Sequence, residues 1–162
     1  RRQRQMCIRD RTKRYYHKYI GMGGRLDALQ AAVLNVKMKY HDNDIKRRQK
    51  VAQQYTDSLI ESNKLSLPVL PDNKTSVWAQ YSIRVQNRNE IQAELKAKGI
   101  PTAVHYPLPL HLQECFEYLG YKKGNFPIAE VISNEIMSLP MNPYLSNKEI
   151  EYITKELIQL LQ

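Results

Sequence analysis

Leu26, Leu29, Val33, Val36 and Tyr40 recur at alternating three- and four-residue spacing, and Val51, Tyr55 and Leu59 resume the same stripe. Positions three and four apart lie on one side of an α-helix, so the pattern predicts a long amphipathic helix. Between the two runs, HDNDIKRR at 41–48 crowds polar and charged side chains together, which suits either a solvated helical turn or a break. Downstream, LSLPVLPDNKTS holds two prolines and a polar cluster, and reads as extended chain and turn. In VWAQYSIRV, Val77, Ala79, Tyr81, Ile83 and Val85 share one face while Trp78, Gln80, Ser82 and Arg84 share the other. That period of two predicts a half-buried strand over 77–85.

Asn87 and Asn89 offer N-cap chemistry for a helix in EIQAELKAKG that Gly99 stops, and IPTAVHY at 100–106 reads as a second short strand. LHLQECFEYLG predicts a short helix ended by Gly120. AEVISNEIMSL at 129–139 predicts a helix facing inward through Ala129, Ile132, Ile136 and Leu139. After the two prolines of PMNPYLS, a last helix starts from Ser146 or Asn147 and turns Ile150, Ile153, Leu157 and Leu160 inward. The expected class is α+β, a long helix leading into a small sheet covered by helices.

At 162 residues with 42% hydrophobic content, the chain can bury one substantial core. No apolar run approaches the roughly 18 residues that span a bilayer, and no apolar stretch follows the basic start, so the expectation is a cytoplasmic protein without membrane segments. Cys7 and Cys115 lie far apart without a CxxC and read as ordinary thiols. The net charge of +9 is concentrated: residues 1–14 carry +6 of it. A basic tail can grip phosphates, yet no aromatic is interleaved with these charges and no zinc-finger or RNA-recognition signature appears, which leaves nucleic-acid binding the weaker reading. RRQRQMCIRDR has neither helical nor strand period and is similar to a translated sequencing adapter. Residues 1–11 are therefore expected to be a non-native tail, with the natural protein continuing upstream.

The residues by themselves supply little catalytic chemistry. His17, His41, His105 and His111 are the histidines. His105 and His111 invite a shared metal, but no carboxylate stands beside them in the sequence, and no metal is expected. The chain has no GxSxG, no HExxH and no Walker loop. GMGG at 21–24 is half a dinucleotide fingerprint, without the strand that should precede it.

Three ordered stretches carry a resemblance. YYHKYIGMGGRLDALQAAVLNVK, Tyr15 to Lys37, resembles the segment by which DegT-type sugar-nucleotide aminotransferases pass from the cofactor domain into the small domain, usually written IGxNxRLDxLQAA. SVWAQYSIR followed by GIPTAVHYPLPLHLQ is similar to the small-domain signature of members acting on nucleotide-linked 3-keto sugars. FPIAEVISNEIMSLPMNPYLS fits the family's C-terminal run. The resemblance covers nearly all of residues 13–162. It implies the C-terminal small domain of a fold-type-I aminotransferase dependent on pyridoxal phosphate (PLP), with residues 12–24 an interface loop and 25–162 the small domain.

The same resemblance implies a homodimer with active sites shared between subunits, an amino-acid donor that is usually glutamate, and a keto sugar nucleotide as acceptor, for polysaccharide precursors. The Schiff-base lysine of such enzymes precedes the IGxNxRLD segment, so no lysine of this chain inherits that role, and the chain alone is expected to be inactive. The family's asparagine, which reaches the cofactor phosphate of the neighbouring subunit, aligns with Gly23, where only a backbone N–H could substitute. Arg25 matches the motif arginine and reads either as an anion contact for substrate or as a salt bridge at the helix start. Asp27 and Gln30 read as capping and packing groups. His105 and Tyr106 match the HYP element that reaches a sugar nucleotide; an imidazole and a phenol offer hydrogen bonds and a stacking face. His111 and Gln113 rank below them. The alternative is a non-enzymatic small domain whose basic tail binds a partner or nucleic acid.

Overall fold

A computed structural model describes residues 26–161. The chain divides into two compact units, residues 1–41 and 42–162. In the first, helix α1 spans Ala28–Met38, and none of its residues is buried. Asp27 stands at its N-cap position through its backbone, accepting the Ala31 amide at 2.8 Å, and makes no side-chain cap. The single long helix expected from the apolar stripe is interrupted: Lys39 and Tyr40 form a turn in which the Lys39 amide reaches Val36 and the Tyr40 amide reaches Lys37. These i→i+3 bonds tighten the chain and end the α-helical ladder. HDNDIKRR is then no break, since helix α2 runs His41–Leu59 with Asp42 and Asp44 in its first turn, where carboxylates suit the exposed amide dipoles.

The larger unit is built on a three-stranded antiparallel sheet in the order β1 (Leu65–Ser66), β2 (Tyr81–Val85), β3 (Ile136–Leu139). Helix α3 (Arg88–Ala97) follows β2, helix α4 (Pro127–Glu135) leads into β3, and helix α5 (Asn147–Leu160) closes the chain. On β2 the predicted alternation holds, with Tyr81, Ile83 and Val85 buried and Ser82 and Arg84 half-buried. Opposite them in register stand Leu139, Ser138, Met137 and Ile136, so Met137 and Leu139 join the buried face and Ser138 pairs with Ser82 on the other. The core over the first face takes Tyr55 and Leu59 from α2, Leu95 from α3, and Ile150, Ile153 and Leu157 from α5. The Tyr55 hydroxyl donates to the Pro140 carbonyl at 2.8 Å, and the Tyr81 hydroxyl lies 2.8 Å from Thr56 Oγ1. Burial pushes both phenols up in pKa and keeps them neutral.

Several predicted boundaries shift. Residues 77–80 leave the strand: Trp78 has φ 46°, its amide is held by Ser76 Oγ, and its carbonyl accepts from Arg48 at 3.0 Å, so its backbone partners lie off the sheet. Asn87 precedes α3 at φ 53° and gives no side-chain cap, while Asn89 accepts from Arg88 Nε inside the helix. Gly99 does end the segment, at φ 76°, a conformation costly for side chains with a Cβ. The expected strand at 100–106 contracts to one bridge, Ala103 with Ser138. LHLQECFEYLG forms two 3-10 turns, Leu110–Leu112 and Glu114–Leu119, with Gly120 at φ 73°.

The largest correction is at 129–139. The helix ends at Glu135, and Ile136–Leu139 becomes β3, because β2 has an open edge that these four residues fill. Arg84 clamps the junction by donating from Nε and Nη2 to Glu135, and Arg88 Nη1 donates to the Ile136 carbonyl at 3.0 Å. The predicted last helix stands as expected, with a capping box in which Ser146 Oγ accepts the Glu149 amide and Glu149 accepts the Ser146 amide.

Candidate functional site

The second face of the sheet places polar chemistry together. Ser82 Oγ lies 2.8 Å from Ser138 Oγ, and Ser138 Oγ lies 3.0 Å from His105 Nδ1. The Ala103–Ser138 bridge brings the chain to this point, and the relay of two hydroxyls then fixes the imidazole. With Nδ1 committed to Ser138, Nε2 is the nitrogen left to meet a ligand. Tyr106 stands edge-on to His105 with ring centroids 5.8 Å apart and is 74% exposed. A tyrosine this exposed presents a ring face and a hydroxyl to whatever approaches.

Beside them opens a cleft of about 260 Å³ lined by Gln80, Thr102, His105, Ser138 and Met141 among others. Its back wall is braced by Arg48, which donates to the carbonyls of Trp78 and Met141. Neither lysine nor arginine lines the cleft, and among the described residues no buried side-chain nitrogen or oxygen lacks a partner. The set suits hydrogen bonding to hydroxyls and carbonyls. It does not by itself fit PLP, because nothing in the lining would neutralise the cofactor's phosphate. Gly23 and Arg25, the residues that the sequence points to for cofactor and anion contacts, lie outside the described residues.

His111 does not join His105. Its Nε2 lies 3.0 Å from Glu130 Oε1 on α4, and its ring packs against Phe126 at 4.8 Å. The Gly124 amide donates to the same oxygen at 2.8 Å, and these donors hold the Glu130 carboxyl below its usual pKa, the Gly124 bond contributing most. Among the described residues no three histidine, cysteine or acidic side chains gather in a metal-binding group, and no helix is long and apolar enough to cross a membrane.

Of the residues singled out in the sequence, His105 lines the cleft and Tyr106 stands next to it, whereas Ser138 and Glu130, the partners of His105 and His111, were not singled out. Glu130 sits 19 positions from His111, a separation that carries no periodic signal. Ser138 was hidden by reading IMSL as helix, although alternation through Met137, Ser138 and Leu139 fits a strand equally well.

The unit is thus an α+β fold on a small antiparallel sheet, with a cleft of mixed polar and apolar lining beside an anchored histidine. Residues 2–158 match the DegT/DnrJ/EryC1/StrS aminotransferase family, and the chain belongs to it. It is 41% identical over 150 residues to the UDP-2-acetamido-2-deoxy-3-oxo-D-glucuronate aminotransferase of Pseudomonas aeruginosa, a match spanning 93% of this chain and 41% of that protein. It is 44% identical over 149 residues to the pleiotropic regulatory protein of Geobacillus stearothermophilus, spanning 90% of this chain and 40% of that one. The fold superimposes with a TM-score of 0.83 on DesV of S. venezuelae in complex with a ketimine intermediate, at 29% identity over 94% of this chain and 41% of DesV. The chain thus spans about 40% of the length of the relatives it matches. The family is one of aminotransferases, and the family implies PLP.

Proposed function

We propose that this chain is the C-terminal small domain of a cytoplasmic, PLP-dependent aminotransferase that moves an amino group, from glutamate, onto a keto sugar nucleotide, with a 3-keto UDP- or dTDP-sugar as acceptor. The observation that carries the reading is an anchored His105, with an exposed Tyr106 next to it, lining a cleft that also carries Gln80, Thr102 and Ser138. Hydroxyls and carbonyls of a sugar meet hydrogen-bond donors and acceptors there, and a base or sugar ring meets the phenol face. The Pseudomonas relative, named for a 3-oxo sugar nucleotide, supports the ring position.

PLP supplies an electron sink to the amino group in transit when bound. In this reading the residues described here hold and orient the sugar, while Gly23 and Arg25 contact the phosphate of cofactor or substrate. The enzyme is a homodimer in which His105 and Tyr106 serve the neighbouring subunit's site and residues 12–24 are an interface loop.

Two measurements test the reading. After incubation with PLP and removal of unbound cofactor, the 162-residue chain alone should show no internal-aldimine band, whereas the protein extended to the length of its relatives should show one; a robust, stoichiometric band from the short chain overturns the assignment of the lysine elsewhere. In the extended enzyme, His105→Ala should raise KM for the keto sugar nucleotide about tenfold, equivalent to losing ~1.4 kcal/mol of binding. An unchanged KM and kcat removes His105 from the site.

A further inference from the structure

The seven residues from His105 to His111 form a strap held at each end by an imidazole. At one end His105 Nδ1 meets Ser138 of β3; at the other His111 Nε2 meets Glu130 of α4. The second pin is the more enclosed, with the His111 and Glu130 side chains only 7% and 13% exposed. Between the pins the strap carries Tyr106, 74% exposed, and Leu110, 72% exposed. Side chains this open do not hold the strap in place; its course depends on the two anchors and on Gln113 Nε2, which donates to the Leu108 carbonyl at 3.4 Å.

The second anchor is built. Glu130 Oε1 receives both the His111 ring and the Gly124 amide, so one carboxylate oxygen gathers the two ends of the excursion between residues 111 and 124. The His111 ring is backed by Phe126, and Phe126 is met edge-on by Tyr121 at 5.1 Å. An ionised carboxylate only accepts hydrogen bonds, so Nε2 of His111 carries the proton and donates. Neutral or cationic, the imidazole makes that bond, and leaving either partner alone in this setting costs desolvation without return. The short segment from Tyr106 to His111 contains two prolines, Pro107 and Pro109, which narrow its backbone freedom and pass a constraint at residue 111 back to residue 106.

We propose that His111 and Glu130 are positioning residues for sugar-nucleotide recognition, their hydrogen bond fixing the far end of the strap and so holding Tyr106 beside His105, which lines the cleft. The proposal rests on the reading of that cleft as the sugar-nucleotide site. His111 itself points into α4 and touches no substrate; its effect reaches the ligand through Tyr106. Pre-organising a contact before the ligand arrives lowers the ordering cost of binding, so the pin acts on sugar affinity.

The test uses the complete enzyme and four proteins: wild type, His111→Ala, Glu130→Ala and His111→Gln, the last retaining an N–H donor. Both alanine variants should raise KM for the keto sugar nucleotide about fivefold to tenfold, the scale of one lost ordering contribution. The half-reaction with the amino donor, followed by pyridoxal absorbance, should keep its rate. Amide hydrogen exchange across residues 106–113 should accelerate in the alanine variants, and His111→Gln should return both readouts toward wild type. An unchanged sugar KM, unchanged exchange in the strap, or equal losses in the donor half-reaction overturns the proposal. A wild-type enzyme that turns over no keto sugar nucleotide instead overturns the reading of the cleft, which separates the two failures.

Discussion

Helices α1 and α5 begin from the same kind of sequence and end in opposite environments. Both carry apolar residues at three- and four-residue spacing. In α5 that stripe places Ile150, Ile153 and Leu157 in the core, with Leu157 fully enclosed, and a capping box secures its start. In α1 the stripe stays exposed: Leu29 is 84% exposed, and the N-cap position makes no side-chain bond. Periodicity therefore reports that a helix has an apolar face, and is silent on whether the chain at hand covers it.

The sharpest way to break this contrast is Leu157→Ala. Removing a fully enclosed side chain between α5 and the sheet should cost about 2–5 kcal/mol, read by urea unfolding of the 162-residue chain. Ser146→Ala should cost less, about 1 kcal/mol, because it deletes one half of the capping box and leaves the packed face intact. Leu29→Ser should change stability by no more than about 0.5 kcal/mol, as for a surface substitution with no special partner. If Leu29→Ser instead approaches Leu157→Ala in cost, the two helices do not differ as described.

The site divides along a similar line. His105 and Tyr106 were visible because the HYP element resembles a family signature; in the structure His105 lines the cleft and Tyr106 stands edge-on to His105. Ser138 and Glu130, which orient the strap those residues belong to, were not visible. Each depends on a pairing that forms only when distant segments meet: β3 against β2, and α4 against the 111–124 excursion. The sequence ranked His111 below His105 and showed no carboxylate beside it. That carboxylate exists, 19 residues on, and it turns His111 into an anchor.

Where local chemistry decides, sequence alone was sufficient. It determined the last helix with its cap, the buried face Tyr81, Ile83 and Val85, the stop at Gly99, the α+β class and the aminotransferase family. Tertiary structure decided the rest. Ile136–Leu139 is strand because β2 offers an unpaired edge, and backbone hydrogen bonds to that edge outweigh a helical preference spread over four residues. The strap at 105–111 runs where it does because a serine and a glutamate from remote elements hold its two imidazoles. Such partners have no fixed spacing along a chain, so only the folded molecule brings them together.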